Sequence, residues 1–352
     1  LVPAQRTEVA DAMARANVEN TVKFLILAIK ITVSAAVVWL LLRRVDLAPI
    51  GRFLESAAGA TAMSICVVVL IAQAGLAALR IRWIMRIMGA ELPLKLGFST
   101  WMIGLLISQT LVTFIAGDAT RIWKLIRRGY TKRLAGGAIF LERALGLAVM
   151  MVLVLLSVPI LLHNGATGAL RTGILAIGAL CAIGIVAFAA SAFIHRFIER
   201  FLPRVHARPI AAAIADVASA ARHLAGSWRL TASVIALSAI MHLANVLCFY
   251  LLGKAAGIDL DFVTTAAVAL PVMLVALLPI ALAGWGVREG AAAAGYSLFG
   301  VLPETAIAVS VGFGLALLIA GLPGGFYLWA EKPTEPASDK PEENPKGESL
   351  PA

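Results

Sequence analysis

Charge is what this sequence has least of. Of 352 residues only 14% are Asp, Glu, Lys or Arg, while 61% are hydrophobic and the mean hydropathy is +0.91. A water-soluble domain of this length needs a polar shell that such a composition cannot supply, so the apolar surface has to face a bilayer. Cysteine is scarce as well. Cys66, Cys181 and Cys248 all fall inside apolar stretches, without paired spacing and without a His at ligand distance. That argues against a disulfide framework or a metal centre, and no cofactor is expected. No G-x-x-x-x-G-K-[ST] occurs, so nothing points to ATP hydrolysis by this chain, and no nucleic-acid partner is expected. The first twenty residues are polar and of mixed charge, not the basic start and short apolar core of a cleavable signal peptide.

What is present is a series of apolar stretches long enough to cross a hydrocarbon core, which takes about 20 residues. They fall at 21–42, 61–79, 136–162, 168–190, 229–252 and 303–330, with two further apolar segments at 94–117 and 262–283. The fold class expected is an all-α polytopic membrane protein. Its layout is a cytoplasmic segment 1–20, a first membrane repeat 21–163, a second repeat 164–330 that includes an interfacial segment 194–228, and an acidic, Pro-rich tail 331–352 expected to be disordered.

The two extra segments decide the architecture. If all eight cross, Lys and Arg divide 12 against 16 between the two sides. If 94–117 and 262–283 are re-entrant hairpins, 22 of the 30 bases lie on one side and 6 on the other. The second arrangement, six spans and two hairpins, obeys the positive-inside rule, and eight full spans is the alternative. Gly97 and Gly104 in one hairpin, and Pro271 and Pro279 in the other, supply the expected breaks. Broken helices persist at membrane depth only when buried in protein or lining a wet cavity, so the charge distribution implies a cavity. Each half would hold three spans and one hairpin, an odd number of crossings, which makes the halves an inverted repeat.

Both halves carry A-G-x-x-x-R, at Ala116 to Arg121 and at Ala283 to Arg288. Asp118 follows a glycine and precedes a helix-compatible run, which suits it to N-cap a helix over 119–128. Arg121, Lys124 and Arg128 then share one face of an amphipathic helix at the interface, on the cytoplasmic rim of the cleft. Arg121 lies nearest the hairpin exit, where a guanidinium can grip phosphate with two parallel bonds. Glu142 and Arg143 lie inside the span that starts near 136, and charges there pair with one another or face water. Glu142 is expected to pair with Arg121, and neighbours on a helix point to different partners. Arg288 and Glu289 repeat the theme at the opposite rim, beside Trp285 and flanked by Gly284, Gly286 and Gly290. Gln73, Gln109, His242 and Asn245 read as interhelical hydrogen-bonding residues.

The stretches GDATRIWKLIRRG at 117–129, LERALGL at 141–147, LAGWGVREGA at 282–291 and PETAIAVSVGFGLALLIAGLPGG at 303–325 resemble the lysylphosphatidylglycerol synthase transmembrane-region family, also called flippase-like integral membrane proteins. The resemblance implies movement of phospholipids or lipid-linked precursors between leaflets of a bacterial inner membrane. Membrane lipids with an anionic headgroup or lipid-linked phosphate are then the partners, and a homo-oligomer is compatible with the reading. The substrate-binding set becomes Asp118, Arg121, Glu142, Arg143, Trp285, Arg288 and Glu289, with no catalytic residue. The aminoacyltransferase domain of the multiple peptide resistance factor has no counterpart here, so lipid synthesis is not expected. Two rivals stand beside this reading. One is a glycosyl- or phosphotransferase on a lipid carrier, for which Asp259-Leu260-Asp261 offers a metal-binding D-x-D. The other is a non-transporting assembly factor.

Overall fold

The computed structural model describes residues 51, 53, 55–110, 114–164, 166–201, 228–277 and 284–330. The expected span 21–42 with Lys30, the segment 1–20, most of 194–228, Pro279 and the tail lie outside the described residues. Every regular element among the described residues is a helix. In chain order they are α1 (Ala57–Ile87), α2 (Leu94–Thr110), α3 (Phe114–Arg127), α4 (Lys132–His163), α5 (Gly168–Phe201), α6 (Trp228–Ala255), α7 (Phe262–Ala276), α8 (Val287–Ser297), α9 (Pro303–Gly321) and α10 (Pro323–Trp329).

Local chemistry sets several of the boundaries. Ser56 begins α1, its Oγ accepting the Gly59 N–H at 2.9 Å. Thr131 does the same for α4, accepting from Leu134 N at 3.2 Å. Both satisfy backbone donors that a helix start otherwise leaves unpaired. Among the described residues, five helices are long and apolar enough to cross a membrane: α1, α4, α5 over Gly168–Ala190, α6, and α9 continuing through α10. The surface is inverted relative to a soluble protein. Val68, Leu156, Ile183 and Val186 are exposed, whereas Arg80, Arg121, Lys124, Glu142, Arg288 and Glu289 are buried. This is how a chain dissolves in lipid while keeping its ionic groups in protein.

The helices α2 and α3 form a hairpin. Position 117 faces 104 and 108 across the two arms, and position 104 faces Arg121, a pairing that only antiparallel arms produce. The Tyr130 hydroxyl donates to the Glu91 carbonyl at 2.7 Å, so the chain leaves the hairpin where it came in. At 1.5 Å per residue the 14 residues of α3 reach about 21 Å, short of the roughly 30 Å core. The second hairpin is α7 with α8, whose 11 residues are shorter still.

Three of the four expected breaks are not breaks, and the fourth, Pro279, lies outside the described residues. Gly97 and Gly104 lie inside the continuous α2, and Pro271 inside α7. Neither glycine is a breaker, and each permits close packing. A Cβ on Gly97 would lie 3.2 Å from the Ala78 carbonyl of α1, and one on Gly104 would strike Arg121. The described part of α2 ends at Thr110 and α3 starts at Phe114, while α7 ends at Ala276 and α8 starts at Val287. The hairpins are therefore longer than 94–117 and 262–283, and the A-G-x-x-x-R motifs begin their returning arms. The glycine of each motif lets the arms meet. A Cβ at Gly117 would sit 2.5 Å from the Gly104 carbonyl, and one at Gly284, where φ is +77°, 2.8 Å from the Ala276 carbonyl.

Packing follows an internal symmetry. Exchange α1 with α6, α2 with α7, α3 with α8 and α4 with α9, and the packed pairs map onto one another. Thus α2 packs on α9 as α7 packs on α4, α1 on α9 as α6 on α4, and α3 on α4 as α8 on α9. At the centre α1 and α6 cross antiparallel. Arg80 meets Ser238, Gln73 meets Met241 and Cys66 meets Cys248. The end of α1 that leads to the first hairpin thus lies beside the start of α6, and the second hairpin hangs from the opposite end. The two hairpins enter from opposite faces of the helix bundle. The Cys66 and Cys248 thiols are brought together at this crossing and are free, each directed at the other's carbonyl. Sequence spacing concealed that proximity.

The expected interfacial segment changes at its start. Helix α5 runs unbroken to Phe201, so 194–201 continues the span's helix. The base distribution needs amendment too, because Arg80, Arg121 and Lys124 are buried within the bundle, as is Arg288. Setting these four aside leaves the bias between the two sides in place.

Candidate functional site

A cavity of about 430 Å³ lies where the hairpins meet the α1/α6 crossing. Its lining is apolar along α4, α7 and α9, through Leu147, Met150, Met273 and Leu317, and ionic along α1, α3 and α4.

The ionic wall is one connected network. Glu142 on α4 is 1% exposed and takes both carboxylate oxygens into ion pairs. Arg80 of α1 donates to its Oε1 from Nη2 at 2.6 Å and from Nε at 3.2 Å, while Arg121 of α3 donates to its Oε2. Arg80 also reaches Ser238 of α6 at 3.2 Å. One carboxylate of α4 therefore joins α1 and the hairpin arm α3, and Arg80 carries the link on to α6. Next to it Arg143 holds Asp118 through two parallel bonds, 2.7 and 2.9 Å, a fork geometry that fixes both groups. Arg121 touches Asp118 more loosely, at 3.4 Å. Trp101 of α2 covers the triad, with the Arg121 guanidinium 4.8 Å and that of Arg80 5.7 Å from its ring. In a desolvated site each such contact stabilises by about 0.5–2 kcal/mol.

The second site is built on the equivalent frame. Arg288 stands one residue into α8, its guanidinium 4.8 Å from the Trp285 ring and 5.8 Å from that of Phe313. It donates to Glu289 Oε1 from Nη2 at 2.8 Å and to Ser310 Oγ from Nε at 3.1 Å. The other Glu289 oxygen accepts the Gly286 N–H at 2.5 Å and thereby closes the first turn of α8. Gly314 of α9 leaves room for this arginine, because a Cβ there would collide with Nη2.

Sequence reasoning named seven residues for this site. Asp118, Arg121, Glu142, Arg143 and Arg288 line the one cavity, whereas Trp285 and Glu289 stand behind Arg288 and hold it. Two geometrical expectations are corrected. Asp118 is not an N-cap: α3 starts at Phe114, and the Asp118 carboxylate is engaged by Arg143 and Arg121. Nor does α3 lie at the interface with its bases outward, since Arg121 is 3% exposed and Lys124 2%. As the returning arm of the hairpin, α3 turns its basic face inward, where Arg121 meets Glu142 of α4. Arg121 and Arg288 both face this one chamber, from hairpins of opposite entry.

Arg80, Trp101 and Ser310 went unrecognised in the sequence. Arg80 could have been found, since it stands seven residues after Gln73 on the same face of α1, inside an otherwise apolar helix. Gln73, His242 and Asn245 do bridge helices. Gln73 Nε2 donates to the Met241 carbonyl at 2.6 Å and to Asn245 Oδ1 at 3.2 Å, and His242 Nε2 donates to the Gly146 carbonyl at 2.9 Å. Gln109 instead lines the cavity, its Oε1 buried and without a partner. Asp259 and Asp261 lie outside this region and do separate local work. Asp259 accepts from Lys254 at 2.6 Å, and Asp261 caps α7 by accepting from Thr264 N at 2.9 Å. Those hydrogen bonds, from Lys254 and from Thr264, hold the two carboxyls below the ordinary Asp range.

No group of three or more His, Cys, Asp or Glu side chains among the described residues is arranged to hold a metal ion. No curated protein and no solved structure matches the chain. The family model described as the lysylphosphatidylglycerol synthase TM region matches residues 27–325, which takes in both hairpins, the α1/α6 crossing and every residue of the ionic network. A match of that extent means that this all-α, multi-pass chain belongs to the lysylphosphatidylglycerol synthase TM region family.

Proposed function

We propose that the protein is a lipid translocase, moving a phospholipid or lipid-linked precursor between leaflets through the cavity between its two hairpins. One observation carries the reading: buried guanidinium groups from two hairpins of opposite entry, Arg121 and Arg288, face the same chamber. A headgroup crossing a bilayer unaided loses its hydration, and a preorganised polar path replaces part of that loss. Acyl chains can stay in lipid beside the apolar wall while the headgroup contacts the ionic wall. Exchange between Glu142 and a headgroup phosphate at Arg121 gives the path a closed resting state, because the carboxylate occupies the guanidinium when no lipid is present. No catalytic step is invoked. The base bias favours an orientation with the Glu91/Tyr130 end of the first hairpin in the cytoplasm, and the family resemblance suggests a bacterial inner membrane.

The test is reconstitution of the purified full chain into vesicles containing a tail-labelled fluorescent phospholipid. The fraction of label reachable by a membrane-impermeant quencher is then followed. Acceleration of exchange over protein-free vesicles is the expected outcome; rates indistinguishable from protein-free vesicles across anionic and zwitterionic lipids would sink the reading.

A further inference from the structure

Where α1 and α3 end and α2 and α4 begin, the surface carries almost one sign of charge. Arg86, Lys95, Lys132 and Arg133 are exposed there and Arg82 is partly so, against the single carboxylate of Glu91. Glu91 already meets Arg86 at 3.0 Å and Arg82 at 4.0 Å, and the Tyr130 hydroxyl donates to its carbonyl, which draws the four helix ends into one rim. Met88 at the end of α1 stands against Gly137 of α4, so Lys132 and Arg133 belong to the same rim as Arg86. Five cations against one carboxylate leave four positive charges in water at the open end of the first hairpin.

The chain itself brings acid to this place. Helix α10 lies antiparallel on α2. Gly321, just before α10, faces Leu106 at 3.2 Å, Gly324 faces Met102, and the Tyr327 ring lies 6.1 Å from that of Phe98. Continuing this register sets Ala330 beside Lys95. Phe326 and Trp329 are exposed at the end of α10, as aromatic side chains are where a helix leaves the hydrocarbon. The next residues, 331–352, carry Glu331, Glu335, Asp339, Glu342, Glu343 and Glu348 against Lys332, Lys340 and Lys346, in a chain whose net charge is +10. Pro333, Pro336, Pro341 and Pro345 oppose continuation of the helix.

We propose that the acidic segment 331–352 docks on this rim, its carboxylates meeting Lys95, Lys132 and Arg133. Five extended residues span at most about 17 Å and twelve about 40 Å, so Glu335 to Glu343 have the reach. Single surface ion pairs are weak, but a tether beside the rim supplies an effective concentration in the millimolar range, so a weak attraction suffices. Anionic headgroups would offer the rim the same sign of charge; the segment has the advantage of leaving the bundle at Lys95. The attraction should fade with salt, because the Debye length falls from about 10 Å at 0.1 M to about 3 Å at 1 M.

The test uses the full chain in a non-ionic detergent and reads no transport, so it stands or falls apart from lipid movement. A carbodiimide joins a carboxylate to an amine in contact with it, with loss of water, and the joined peptides are identified by mass spectrometry. Amide links from the segment's carboxylates to Lys95 or Lys132 within one chain are expected at low salt, falling at least about fivefold in about 1 M salt. Arg86→Gln with Arg133→Gln leaves both amines in place and removes two surface charges. It should lower the same links about threefold with no change in thermal midpoint, a response that chance encounters of a tethered segment would not give. Links that ignore both salt and the two substitutions would overturn the proposal. So would links found only between two copies, which would assign the rim to a second copy of the chain. Absence of links, with Lys95 and Lys132 shielded from acetylation only after dioleoyl phosphatidylglycerol is added, would assign it to a lipid surface and equally overturn it.

Discussion

The two hairpin sites share a frame and differ in what they do with it. In each, A-G-x-x-x-R opens the returning arm, the glycine lets the arms touch, and a tryptophan ring lies 4.8 Å from the arginine. In the second site the acid is the residue next to Arg288, and Ser310 of α9 completes a local knot. In the first the acid comes from another element: Glu142 of α4 joins Arg121 of α3 to Arg80 of α1. Carrying the offset between Arg121 and Arg288 onto the following span sets Arg143 against Ser310 and Glu142 against Val309. One half thus neutralises its arginine in place, and the other uses it to tie three helices together. A repeated backbone fixes where a cation stands; the residues that differ decide whether it is closed off or shared.

The hardest blow to this asymmetry is Glu142→Ala. It leaves Arg80 and Arg121 buried without their common anion, a class of change that costs about 3–5 kcal/mol. Thermal unfolding in detergent should show it as a large drop in midpoint, whereas Glu289→Ala, which strands one buried guanidinium that keeps Ser310 instead of two, should fall at the low end of that range, about 3 kcal/mol. Equal losses would mean that the two halves bear their ions alike.

Function gives the next contrast. Arg121→Lys and Arg288→Lys keep charge but lose the planar fork, and each should slow lipid exchange in vesicles about tenfold. Arg127→Lys should be nearly silent, since Arg127 lies over the Trp123 ring on the outer side of α3. Uniform tolerance at all three positions would reduce the basic cluster to a sidedness signal.

Sidedness itself can be broken cleanly. Glu91→Cys and Arg128→Cys should react with an impermeant reagent from the same side of the membrane, because the Glu91/Tyr130 contact closes the first hairpin there. Labelling from opposite sides would turn the hairpin into two crossings and remove the inverted relation between the halves. The smallest effect belongs to Asp259→Asn with Asp261→Asn. It should leave lipid exchange unchanged and cost at most about 1 kcal/mol through the cap on α7; loss of activity in well-folded protein would revive the D-x-D.

Much of this architecture is legible in the residues. Helices of 28 to 32 residues leave room for about 20 apolar positions each, so α1, α4 and α6 stand out by length alone. The base distribution detects the hairpins because Lys and Arg near a membrane are costly to translocate, a signal that does not depend on knowing any contact. The turning point of the first hairpin is not legible, because a glycine that breaks a helix and a glycine that lets two helices touch look the same in one dimension. Gly104 is of the second kind, and only the position of Arg121 against it reveals this.

The amphipathic reading of α3 went astray for a related reason. A helix with Arg121 and Lys124 on one face suits a membrane surface and suits equally an ionic chamber within a bundle, since periodicity states which residues share a face and not what that face meets. Composition and pattern by themselves determined that this chain is helical, spans a membrane, carries two apolar interruptions and repeats a motif, because those properties follow from hydrophobic length and charge position along the chain. Tertiary structure alone decided that Arg80 shares the carboxylate of Glu142 with Arg121, that Asp118 belongs to Arg143, and that both hairpin arginines face one cavity. Which buried charge meets which is settled by helices far apart in sequence crossing at one point, where every ion taken out of water has to find its partner.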